Sequence, residues 1–137
     1  MNNFETGERL LQEAREFMGE VERAFERASW NIVVRRAQEV VELALKGALK
    51  MMGIEHPKEH DVGSLFAEAC AARKIEVDRA VLNAVREISA RLARDRQPSF
   101  YMERVYQGEE ATHAREGAAR VLALVEDLAE KLQRPRA

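Results

Sequence analysis

Three groups of side chains in this sequence could do chemistry. The first crowds Arg94, Arg96, Phe100, Tyr101, Arg104 and Tyr106 into about 15 residues, 94–108, centred on Pro98. A guanidinium holds a phosphate through paired hydrogen bonds, and an aromatic ring stacks on a base. The plainer alternative is that the aromatics pin a loop to the body of the protein while the arginines face water. The second group is His56, Glu59, His60 and Asp61. Imidazole and carboxylate are zinc ligands, but Pro57 spoils a regular helical presentation and no further ligand cluster lies nearby. The expectation is therefore no metal, with His60 and Asp61 shaping a turn. The third group is a stripe of Arg35, Gln38, Glu39, Glu42 and Lys46. Arg35 with Glu39 and Glu42 with Lys46 are i, i+4 pairs, worth about 0.2–0.5 kcal/mol each on a solvated helix face. A polar face turned toward a partner or a ligand cleft is the sharper alternative.

Other candidates are weaker. His113, between Ala111 and Ala114, stands at the edge of an apolar stripe and reads as a structural histidine. Cys70 lies in an Ala-rich apolar stretch without a basic neighbour in sequence and reads as a core filler. There is no Gly-rich phosphate loop, no His-Glu-x-x-His and no nucleophile elbow. No carboxylate pair is singled out for general acid–base work. No catalytic residue and no cofactor are assigned.

The elements that must position these groups are helices. Hydrophobic residues make up 46% of the 137-residue chain and charged residues 34%, with only 7 glycines and 3 prolines, a composition of long helices. Apolar residues recur at i, i+3, i+4 and i+7. The spacing predicts helices over about 6–28, 29–52, 61–73, 78–93 and 109–132. Thr6, Ser29, Asp61 and Asp78 are the expected N-caps. Gly53 suits the left-handed residue that ends many helices. Residues 134–137 read as a frayed tail. Three helices of roughly 35 Å with one-sided apolar stripes predict an all-α, up-and-down four-helix-type bundle of about five helices. The third and fourth helices together supply the last wall. The length predicts one domain over 1–137.

Charge and cysteine usage bound the setting. The net charge is −2 and there is a single cysteine. A duplex nucleic-acid binder normally carries a basic surplus, and one cysteine allows no internal disulfide. No signal-peptide stretch and no apolar run of spanning length stands out. The expected location is cytoplasmic, without membrane association.

The stretch from Arg36 to Gly53 (Arg-Ala-Gln-Glu-Val-Val-Glu-Leu-Ala-Leu-Lys-Gly-Ala-Leu-Lys-Met-Met-Gly), followed by Pro57, His60-Asp61-Val62 and Leu65-Phe66, resembles the HEPN domain (higher eukaryotes and prokaryotes nucleotide-binding). Gln38, Glu42 and Lys46 match the spacing of that family's long helix. Gly53 matches its turn, and His60 and Leu65 its next short helix. The run from Tyr101 to Tyr106, then Glu109-Glu110-Ala111, is similar to the family's C-terminal half.

The resemblance implies a helical bundle that pairs as a homodimer and partners a minimal nucleotidyltransferase in a toxin–antitoxin-like pair. Many family members are metal-independent RNases that use Arg, four to six residues, then His. This chain departs from that motif: the corresponding positions before His60 are Gly53, Ile54 and Glu55, and before His113 they are Tyr106, Gln107 and Gly108. The reading is therefore a non-catalytic module for a nucleotide or RNA ligand, a nucleotidyltransferase partner, or both. Lys46, His60, Arg94, Arg96, Tyr101, Arg104 and Tyr106 are its candidate ligand contacts. An RNase using Arg104 and His113, or a purely structural dimeric adaptor, are the alternatives.

Overall fold

The structure, a computed structural model, describes residues 2–133; the expected tail, residues 134–137, lies outside them. Five helices follow in order: α1 (Asn3–Glu26), α2 (Trp30–Met51), α3 (Gly63–Ala72), α4 (Arg79–Phe100) and α5 (Gly108–Gln133). No strand occurs among the described residues, and the fold is the all-α bundle that the periodicity predicts. No helix among them is long and apolar enough to cross a membrane.

α2 is the hub. Its buried face runs Val33, Val34, Ala37, Val40, Val41, Ala44, Leu45, Ala48 and Leu49, wide enough to touch all four other helices. α1 packs on it most closely, at a crossing only glycine permits. A Cβ on Gly7 would meet the Gly47 carbonyl oxygen at 2.5 Å, and one on Gly47 would meet the Gly7 oxygen at 2.9 Å. α5 and α4 lie on α2 as well but touch each other sparsely, so a groove remains between them.

Helix ends refine the sequence reading. α1 starts earlier than expected, because Asn2 rather than Thr6 is its cap: Asn2 Oδ1 accepts from the Glu5 N–H at 2.8 Å. Thr6 is inside the helix and its hydroxyl donates to the Asn2 carbonyl. Ser29 stands at the start of α2, but its side chain makes no capping bond. Asp78 does cap α4, accepting from the Ala80 N–H at 2.8 Å. Asp61 sits two residues before α3, accepting from the Gly63 N–H at 3.1 Å and the Ser89 hydroxyl at 2.7 Å. It thereby ties the turn to α4. At their C-termini α1 to α4 close alike, with one left-handed residue (Ala28, Gly53, Lys74, Met102). The next N–H then bonds back to a carbonyl five residues earlier, as from Ser29 to Ala24, the Schellman closure.

The main correction concerns residues 94–108. They are not a loop: α4 runs on through Pro98 to Phe100, and only residues 101–107 connect it to α5. Proline removes one ladder bond and crowds the carbonyl four residues back, but here it sits in the last turn. The end is held from outside. Glu103 N–H donates to the Pro98 carbonyl at 3.0 Å, and Asn31 Nδ2 on α2 donates to the carbonyls of Ser99 and Arg104.

Candidate functional site

Continuing α4 to Phe100 separates residues that a loop would have left together. Arg94 and Arg96 are two positions apart, about 200° around a helix. They face different surroundings.

Arg96 faces inward to α2. Its Nη1 donates to Gln38 Oε1 at 2.7 Å, Gln38 Nε2 donates to Glu42 Oε1 at 2.9 Å, and Lys46 Nζ holds Glu42 Oε2 at 2.8 Å. His60 Nδ1 lies 2.9 Å from Glu42 Oε1. The Gln38, Glu42 and Lys46 stripe is thus not the solvated face that i, i+4 spacing suggests. Gln38 is 2% exposed, and the Lys46 and Glu42 side chains are 12% and 16% exposed. Burial alone would push the Glu42 carboxyl up, but bonds from Lys46, Gln38 and His60 outweigh it and hold the group below its ordinary range. Lys46, His60 and Arg96 are joined into one chain across α2, α4 and the turn before α3, buried at Gln38 and reaching the surface at His60, whose side chain is 51% exposed. Arg35, on the other edge of the stripe, is 3.9 Å from Glu39 and lies over the Phe100 ring at 3.7 Å.

Arg94 faces the other way, into the groove between α4 and α5. The groove encloses about 740 Å³, a size suited to small molecules. Val34 of α2 contributes to its floor together with Ile88, Leu92, Ala114 and Gly117. The walls are antiparallel. Near the connecting turn the Tyr106 hydroxyl donates to Asp95 Oδ1 at 2.8 Å. At mid-length a Cβ on Gly117 would lie 3.1 Å from Ile88 Cγ2. The rims carry Arg91, Arg94, Arg104 and Arg120 against Glu87, Asp95, Glu110 and Glu116, with His113 between them.

These charges are not equivalent. Arg104 forms an ion pair with Glu110 and lies 4.7 Å above the Tyr106 ring. Tyr106 is 2% exposed, its backbone N–H held by Asn31 Oδ1 at 2.9 Å. Burial, and then its bond to Asp95, push its phenol well above the ordinary range, so it is a fixed donor and no acid. Glu110 also accepts from the Gln107 N–H at 2.9 Å, the returning half of a capping box. By contrast Arg91, Arg94 and Arg120 have no carboxylate within ion-pair distance among the described residues, although all three side chains line the groove.

The remaining candidates lie elsewhere. Tyr101 is 67% exposed at the tip of the connecting turn, outside the groove. His113 is exposed on the groove rim rather than packed. Cys70 is fully buried, and burial pushes its thiol up to about 11, which suits a core filler. Among the described residues no three histidine, cysteine or acidic side chains converge as a metal site. Sequence reasoning did not single out Arg91, Arg120 or Asn31. Arg91 precedes Arg94 by one helical turn, a signal readable only once the helix is known to continue. Asn31 bonds partners 68–75 residues away, and nothing local announces that.

Comparisons with known proteins agree with this architecture. Two crystal structures are similar, each at 20% sequence identity. One is an archaeal HEPN homologue, with TM-score 0.68, covering 90% of this chain and 97% of the other. The second is a protein of Thermus thermophilus, with TM-score 0.70, covering 93% and 98%. At that identity they speak for the fold alone. No curated protein matches. The model of the HEPN domain family matches residues 7–128, from the first turns of α1 almost to the end of α5, and the chain therefore belongs to the HEPN family.

Proposed function

We propose that this chain is a non-catalytic binding module that works as a homodimer in the cytoplasm, as one domain. It takes a nucleotide in the α4–α5 groove, docks a minimal nucleotidyltransferase partner in a toxin–antitoxin-like pair, or does both. The observation that carries the nucleotide reading is the trio Arg91, Arg94 and Arg120. They are guanidiniums without internal partners, standing beside an apolar floor. All three are exposed at the groove rim, where an unpaired guanidinium beside apolar side chains is a ready phosphate contact. Arg104 and Tyr106 shape the mouth of the groove. Lys46, His60 and Arg96 act at one remove, by fixing α4 against α2. Tyr101 faces a partner instead.

Charge balance narrows the ligand. The groove has four arginines and four carboxylates. A compact nucleotide can place its phosphates on two or three arginines and keep clear of Glu87 and Glu116. An RNA strand would carry further phosphates past those carboxylates, so a mononucleotide fits better than a strand.

Equilibrium binding of labelled AMP, ATP and GTP tests this reading. Nucleotide should bind, weaken at least tenfold in Arg94→Ala combined with Arg120→Ala, and resist displacement by an RNA oligomer. Equal affinity in that variant would remove the groove arginines from the site.

A second reading, a metal-independent RNase, is favoured by one observation: Arg104 and His113 both line the groove. Against it, Arg104 is already held by Glu110 and Tyr106. Cleavage of RNA in chelator that disappears in His113→Ala would favour the RNase. Its absence in the wild type would leave the binding module.

A further inference from the structure

The large apolar side chains left in water do not scatter. Ile32, Phe100, Tyr101, Met102 and Val105, each between 43% and 67% exposed, all belong to one end of the bundle: the first turn of α2 and the chain leaving α4. That end is built. Asn31, next to Ile32, holds the carbonyls of Ser99 and Arg104. The rings of Phe100 and Tyr101 meet at 4.7 Å.

Two quantities say what covers it. The first is area. At roughly 200 Å² for a full side chain of this class, the five leave roughly 500 Å² of apolar surface open, near the upper limit for one patch on a free monomer. An ordinary two-fold dimer buries about 800 Å² on each copy, of which about 450–500 Å² is apolar. The second is charge. Arg35 lies against Phe100 with Glu39 at 3.9 Å, and Glu103 is exposed in the turn. An isologous contact sets a surface against itself, so a rim of one sign would repel its own copy and a mixed rim can match it. Nucleic acid would gain nothing from such a rim.

We infer that this apolar end is the surface on which a second copy of the chain docks about a two-fold axis. The inference rests on the homodimer reading above and adds the surface to it. The turn that carries Tyr101, Met102 and Val105 outward also carries Arg104 and Tyr106 at the groove mouth, so the docked copy steadies one end of the ligand groove.

Sedimentation of the full chain tests it, comparing wild type, Tyr101→Glu combined with Val105→Glu, and a control, Ala123→Glu, on the exposed face of α5. Wild type and control should be dimers. The double variant should be monomeric, its self-association weakened roughly a hundredfold or more because two unpaired charges on each copy would be buried. A double variant that stays dimeric overturns the surface and leaves the homodimer reading standing; a monomeric wild type overturns both. Peroxide oxidation of Met102 reads the same surface without substitution. It should slow as protein concentration rises through the dimer range, and an unchanged rate would overturn the proposal even if the double variant fails to fold.

Discussion

The α2–α4 junction and the α4–α5 groove are made from the same residue types, and they differ in whether the charges are spoken for. At the junction each polar group has its partner: Arg96 on Gln38, Gln38 on Glu42, Lys46 and His60 on Glu42. Such a satisfied network specifies one arrangement of helices. In the groove Arg91, Arg94 and Arg120 stand beside an apolar floor without an ion-pair partner among the described residues. Residue type therefore does not mark a site in this protein. The useful distinction is between charges that are neutralised internally and charges left over after folding.

Substitutions should affect the two regions very differently. The largest effect is expected for Glu42→Ala, which strands Lys46 and Gln38 in poorly hydrated surroundings and should cost about 2–4 kcal/mol in urea denaturation. A cost below about 0.5 kcal/mol would mean that the network is a solvated surface. The same carboxylate predicts a pH dependence. Its folded pKa lies below its ordinary value of 4.5. Its contribution to stability is therefore complete above that pH and is lost as the pH falls through the folded value. Glu42→Gln should flatten that part of the acid limb. A smaller effect, about 1 kcal/mol, is expected for Tyr106→Phe, which removes one hydrogen bond to Asp95 and leaves the ring in place. The smallest is expected for Arg94→Ala, with stability unchanged within about 0.5 kcal/mol. A large loss there would show that the groove arginines are structural after all.

Much of the fold was legible in the sequence because the apolar stripes of α1, α2 and α5 are long and uninterrupted. Asp78 announced the start of α4 and Gly53 the end of α2 through local chemistry. Pro98 misled, since a proline read one residue at a time ends a helix, whereas here Asn31 and the closing turn hold the last residues of α4 from outside. That single boundary governed the site. With 94–108 taken as a loop, Arg94, Arg96 and Tyr101 belong together. With α4 continued, one faces the groove, one the junction and one the exposed end. The stripe of Gln38, Glu42 and Lys46 was visible as a stripe, but its inward direction was not, because Arg96 and His60 reach it only through tertiary packing.

Thermal melting of wild type and of Arg91→Ala/Arg94→Ala/Arg120→Ala, with and without nucleotide, asks directly whether the groove arginines hold the ligand. At about 100 times its dissociation constant a ligand adds about 2.7 kcal/mol, which should raise the wild-type midpoint by about 3–6 °C. The wild type should show that rise and the triple variant none, with the two unliganded midpoints alike. An equal rise in the triple variant, or a flat wild type at millimolar nucleotide, would contradict that role of the arginines.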